Sequence, residues 1–234
     1  IYIMKKHSFI HYVYIKLNYT NFHKLINRLT IFDLYCIPSL LNQTNLNFKV
    51  LINVNMADEF FNLVKKYTKY NNFILLDKNI NNYLATTKKR KKHILITTRL
   101  DSDDVLNIHY IDTIQKYIIN IKNNYRLYQQ FCKFKTFIIN FSMGLQLNTS
   151  NLLIRQRFYK IPNPFLTIVS LVNANCIDFQ HHLIHHYYYF INIKNKIPMW
   201  IQTIHSKNIL NSFIHGKLLG KYNDNLNLYF KIKI

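Results

Sequence analysis

Glycine is almost absent from this chain, with three residues in 234. That excludes G-x-x-x-x-G-K-[ST] and G-x-G-x-x-G, the loops whose glycines let backbone amides approach a phosphate. A diphosphate bound here must be held by side chains or by a metal ion. Carboxylates are scarce as well: ten Asp and Glu stand against 31 Lys and Arg. Glu59 is the single glutamate, so no H-E-x-x-H metalloprotease helix can exist. Cys36, Cys132 and Cys176 lack C-x-x-C spacing, so neither a thiolate zinc site nor a disulfide framework is suggested, and a reducing interior suits them. The expected location is the cytoplasm, with the periphery of a membrane as the second option. Lys, Asn or His interrupts every apolar run before it could span a bilayer, and Ile1 to Lys6 has no signal-peptide core.

What is present is apolar and basic. A hydrophobic content of 49% is ample for one core, and a single domain over residues 1–234 is expected. The formal charge of +21 would ordinarily suggest nucleic acid. Here it accompanies a general excess of Ile, Asn, Lys, Tyr and Phe, so surface lysine needs no polyanion to explain it. The densest run, Lys88-Lys89-Arg90-Lys91-Lys92, reads as a solvated loop that could also help hold a nucleotide diphosphate.

Three of the ten acidic residues fall within four positions, in Ile94-Leu95-Ile96-Thr97-Thr98-Arg99-Leu100-Asp101-Ser102-Asp103-Asp104. The β-branched run from Ile94 to Thr98 reads as a buried strand, and open α/β sheets bind ligands at such strand ends. On extended backbone Asp101 and Asp103 point the same way, and Asp104 is placed to cap a helix over Val105 to Ile119. Crowded carboxylates repel, and in so basic a chain a divalent cation best explains them; hard oxygen ligands mean Mg²⁺ or Mn²⁺. A strand-end ligand contributes little to the core, so Asp103→Ala is expected to cost no more than about 1 kcal/mol.

Around this stretch, periodicity predicts strands at His11–Leu17, Phe48–Val54 and Phe73–Leu76. Helices are predicted from Lys24 to about Leu34, with Pro38 closing or kinking the element, and from Ala57 to Tyr70. Strands alternating with helices imply a largely parallel sheet flanked by helices on both faces. Beyond Ile119 come strands at Thr136–Phe141 and Asn151–Phe158, with a turn at Ser142-Met143-Gly144, an apolar segment Phe165–Val172, and a last strand from Pro198 that ends in His205.

Three separated blocks, 28–44, 97–104 and 200–208, with Pro164-Phe165-Leu166 between the last two, resemble the rhamnosyltransferases, glycosyltransferases with a GT-A-like fold. The resemblance implies an α/β, GT-A-like, Rossmann-type open mixed sheet flanked by helices. It implies a nucleotide-sugar-binding half over about 7–120 and an acceptor-side half over about 121–220. It further implies a nucleotide-sugar donor, a glycan or other hydroxyl acceptor, and Mn²⁺ or Mg²⁺ at Asp101, Asp103 and His205, with Arg99 on the diphosphate. Lys16 stands where that family tends to have Arg, and no acidic residue follows Pro164-Phe165 near Ser170. Inverting transfer needs a base for the acceptor hydroxyl, and beyond Asp112 the only side-chain carboxylates are Asp178 and Asp224. Elimination leaves Asp178 as the catalytic candidate. Loss of activity, leaving a binding module, is the alternative, and a basic nucleic-acid binder is disfavoured. The run His181-His182-x-x-His185-His186 has a spacing that zinc sites use, but the flanking Tyr187-Tyr188-Tyr189-Phe190 favours strand over helix, so a structural or acceptor-facing role is expected.

Overall fold

The computed structural model describes residues 8–17, 19–55, 57–77, 80–87, 93–121, 124–172, 174–177, 183–205 and 216–233. The alternating first run forms β1 (Ser8–Leu17). Its Val13, Ile15 and Leu17 enter one core while Tyr12 and Tyr14 enter the other, as a period of two requires. Asn21 then accepts the Lys24 N–H at 3.0 Å and caps α1 (Phe22–Ile31). This helix continues through a π-helical turn, Phe32–Cys36, into α2 (Ile37–Leu41). Pro38 therefore does not end the element. Proline withdraws the N–H that the Leu34 carbonyl would have accepted, and the Lys233 N–H takes that carbonyl at 2.9 Å from the far end of the chain.

The parallel half is completed by β2 (Lys49–Val54), α3 (Asp58–Val64) with a 3₁₀ extension over Lys65–Lys69, β3 (Phe73–Leu76), α4 (Ile80–Thr87) and β4 (His93–Leu100). Next come β5 (Val105–Leu106), α5 (Tyr110–Ile121), α6 (Tyr125–Phe134), β6 (Thr136–Phe141), β7 (Met143–Asn148), β8 (Leu153–Phe158) and β9 (Thr167–Ser170). The described elements end with β10 (Tyr189–Ile193), β11 (Trp200–Ile204), β12 (Leu218–Lys221) and α7 (Asp224–Phe230). Among the described residues no helix is long and apolar enough to cross a membrane.

Two sheets result. Seven strands run in the order β10-β6-β9-β4-β1-β2-β3, with β9 antiparallel to both its neighbours and the other pairings parallel. The chain leaves β1 towards β2 and β3, then crosses back to β4 on the other side of β1. The carboxyl ends of β1 and β4 thus border a topological switch point, where open α/β sheets take ligands. The second sheet has the order β12-β8-β7-β11-β5. The mixed open-sheet architecture flanked by helices is the expected class, but the second sheet was not anticipated.

Two boundaries depart from expectation for identifiable reasons. Val105 and Leu106 pair with Ile201 and Trp200, so the helix expected from Val105 begins only at Tyr110, after Asn107 Oδ1 has accepted the His109 N–H at 2.9 Å. The residues Ser142-Met143-Gly144 do not turn the chain back; they pass it from β6 into β7. Gly144 is required there by a close approach, because a Cβ would lie 2.1 Å from the Trp200 ring. Trp200 is fully buried, stacks on Phe165 with centroids 4.7 Å apart, and donates from Nε1 to the Phe141 carbonyl at 2.9 Å.

A carboxylate turn as candidate active site

The strand β4 ends at Leu100, and the next four residues form a turn closed by the Asp104 N–H on the Asp101 carbonyl at 3.0 Å. The backbone is therefore not extended across Asp101 and Asp103, and the two carboxylates take different partners. Asp101 Oδ1 faces Arg99 Nη2 at 3.4 Å, with the Asp101 side chain 45% exposed. Asp103 Oδ2 receives His205 Nε2 at 3.0 Å and forms an ion pair with Arg28 Nη1. Asp104 points inward. Its Oδ1 accepts the Thr203 N–H at 2.9 Å, while Thr203 Oγ1 donates to the Asp103 carbonyl at 2.7 Å. Asp104 thus stitches the turn to β11 and caps no helix.

The three blocks singled out in the sequence converge here. Arg28 comes from the last turn of α1, the carboxylates from the turn after β4, and His205 from the residue after β11. Further bonds fix the frame. Gln43 donates to the Ser39 and Asn107 carbonyls, both at 2.9 Å, and accepts the Ile111 N–H at 3.1 Å, locking α2 to the start of α5. The Arg99 N–H meets the Leu166 carbonyl at 3.1 Å, placing Pro164-Phe165-Leu166 beside the end of β4.

Charge is unevenly shared. Burial pushes the Asp103 carboxyl up, but the His205 hydrogen bond and the Arg28 guanidinium outweigh it and hold the group below the ordinary carboxylate value. Burial raises Asp101, opposed by Arg99 and reinforced by Asp103; its open side limits how far burial can act. Asp104 is pushed well above the usual range, by burial first and then by the charges of Asp103 and Asp101. Behind it, burial raises the Cys36 thiol, and the same carboxylates add to the effect.

Carboxylate oxygens with one imidazole are the donor types that suit Mn²⁺ or Mg²⁺, and carboxylates this crowded gain from a cation. In the geometry observed, Asp101 and Asp103 each face a guanidinium. Among the described residues no three His, Cys, Asp or Glu side chains form a group able to hold a metal ion. The donor chemistry fits such a cation, and holding one would require the two carboxylates to leave their arginines and turn together.

Asp178, the expected base, lies outside the described residues, as do Lys88 to Lys92, His181, His182 and 206–208. Asp224 stands exposed in the first turn of α7. Two participants were not assigned from the sequence, Arg28 and Thr203. A signal for Arg28 was present, since it borders the buried stripe of Leu25, Leu29 and Phe32, where an arginine needs a partner.

No curated protein matches the chain. Among solved structures, S. aureus TarS is similar at 13% identity and a TM-score of 0.46, over 83% of this chain and 37% of that one. S. aureus TarS 1–349 in complex with UDP is similar at 15% identity and a TM-score of 0.47, over 83% of this chain and 60% of that one. A family model described as "Putative rhamnosyl transferase" matches residues 16–216, a span that contains every block gathered at this turn, and the chain belongs to that family.

Proposed function

We propose that this protein is a glycosyltransferase that takes a nucleoside-diphosphate sugar at the carboxyl ends of β1 and β4 and passes the sugar to a hydroxyl acceptor with inversion. Rhamnose is the sugar that the family description suggests. The observation that carries the reading is the meeting of Asp103, His205 and Arg28 beside the switch point of the sheet. Asp101, Asp103 and His205 are the residues that would hold Mn²⁺ or Mg²⁺, whose charge would offset that of the departing diphosphate. Arg99 offers a planar fork of donors to phosphate oxygens at the same strand end. Asp104, kept inward by Thr203, supplies rigidity to the turn and no ligand. Asp178 is the proposed base for the acceptor hydroxyl, with loss of that proton timed to the sugar passing through an oxocarbenium-like state.

One observation favours a second reading, a transferase fold retained for binding: residues 121–234 contain only two carboxylates, Asp178 and Asp224. The test is incubation with a panel of nucleotide sugars, with Mn²⁺ or with chelator, and chromatography of the nucleoside diphosphate released. Metal-dependent release from one donor supports the enzyme, and its loss in Asp178→Asn supports the base. Metal-dependent binding without release from any donor would favour the binding module, and no interaction with any sugar nucleotide would overturn both readings.

A further inference from the structure

We propose that Arg28 keeps a free divalent cation off Asp103 and gives way only when the cation arrives with a diphosphate. The inference rests on the proposed cation and donor site. Arg28 Nη1 and His205 Nε2 converge on a single oxygen, Asp103 Oδ2, so a cation seeking that oxygen meets a guanidinium already in place. The pair is shielded, with side-chain exposures of 20% for Arg28 and 11% for Asp103, and solvent weakens it far less than a surface pair.

The backbone of Arg28 is fixed, because Leu25 and Leu29 on either side are buried and the helix runs on through the π turn. Only the side chain can move. It also interacts with Tyr19, two residues beyond the carboxyl end of β1, the strand end at which the donor is proposed to bind. The Arg28 charge also reaches Asp101 and Asp104, but a cation at this turn would claim Asp101, and Asp104 is turned to the Thr203 amide, so a guanidinium displaced by a cation alone gains no open carboxylate. Displaced by a cation with a diphosphate, it can form a forked contact to phosphate oxygens. Cation and diphosphate must then bind with positive coupling, and by linkage each raises the affinity of the other equally.

The experiment measures free Mn²⁺ by electron paramagnetic resonance, with and without inorganic pyrophosphate, in wild type, Arg28→Ala, Arg28→Lys and Asp103→Asn, each first shown folded by circular dichroism. Wild type should bind Mn²⁺ weakly alone and much more tightly with pyrophosphate. Arg28→Ala should bind Mn²⁺ alone about tenfold more tightly and lose the coupling, within the usual range of coupling between sites. Arg28→Lys should restore part of the coupling, since a lysine supplies the charge without the fork; it carries the test alone if the alanine variant does not fold. Wild-type coupling in both Arg28 variants would overturn the proposal. Failure of the underlying reading looks different: Asp103→Asn would then bind Mn²⁺ and pyrophosphate as wild type does, whatever stands at position 28.

Discussion

At Asp103 one carboxylate oxygen serves two basic side chains, and its removal strands both Arg28 and His205 in a shielded site. The near-neutral cost expected of a strand-end ligand is therefore too small. Asp103→Ala should destabilise the fold by about 1–3 kcal/mol, because groups that lose a buried partner keep their desolvation cost. Asp101→Ala should stay within about 0.5 kcal/mol, since that side chain is 45% exposed and its arginine contact is loose. Urea denaturation of the two variants checks the contrast, and equal costs would show that the Arg28 contact contributes nothing. A second residue sets a pH limit. His11 is 2% exposed, bonded through Nε2 to Thr98 Oγ1 at 2.9 Å and approached at Nδ1 by Gln115 Nε2 at 3.4 Å. Burial lowers its pKa from 6.5 to about 3. A folded-state value below the unfolded one means stability that is full above pH 6.5 and drains as pH falls towards 3, at about 1.4 kcal/mol per pH unit. Between pH 7 and pH 5 the loss from this residue should be about 2 kcal/mol. Denaturation of His11→Gln over that interval should show a slope smaller by about one proton; an unchanged slope would assign the effect elsewhere.

Elements built from strong local periodicity were legible in the sequence, and those defined by a distant partner were not. The strands β1, β2, β3, β4 and β6 fell where alternation or β-branched runs placed them, and so did the histidine after β11. By contrast, β5 exists only because Val105 and Leu106 pair with β11, and no local pattern announces a two-residue strand. Asp104 has the local chemistry of a helix cap, yet the Thr203 amide claims it across the sheet. Pro38 has the local chemistry to close or kink its helix, yet the chain runs on through a π turn and the distant Lys233 amide takes the Leu34 carbonyl. The aspartates and His205 could be named as a group, but the pairing of Asp103 with Arg28 depends on how α1 packs over the strand ends. The passage from β6 to β7 carries the sharpest mutational consequence. A methyl group at Gly144 cannot avoid the Trp200 ring, which Phe165 and the Phe141 carbonyl pin from two sides. Gly144→Ala should cost about 3 kcal/mol by overpacking, read as a lowered denaturation midpoint. Combined with Trp200→Leu, the two losses should sum to less than their separate values, because the smaller side chain removes the clash. Strict additivity would place the strain somewhere other than this contact.

Across the whole molecule the candidate site lies where the two sheets meet. Asp101 follows β4 of the seven-stranded sheet, Asp104 leads into β5 of the five-stranded one, and Thr203 and His205 come from the end of β11 in that second sheet. The sheets are also joined covalently by the step from β6 to β7, and Trp200 of β11 packs on Phe165, just before β9. Occupancy of such a junction should stabilise both sheets together, so we expect one unfolding transition that moves as a unit when the site fills. A ligand that binds only the native state at a hundred times its dissociation constant adds about 2.7 kcal/mol. For a chain of this size that corresponds to a rise of about 5–10 °C in the unfolding temperature. Calorimetry with Mn²⁺ and a nucleoside diphosphate should show this rise in wild type. The same additions should leave Asp101→Ala unmoved, even though its unliganded transition coincides with that of wild type, because the residue contributes to the site and little to the fold. Two separate transitions, only one of them sensitive to the ligand, would mean that the sheets fold as independent units and that the site belongs to one of them. A full rise in Asp101→Ala would remove that carboxylate from the ligand set while leaving Asp103 and His205 in it.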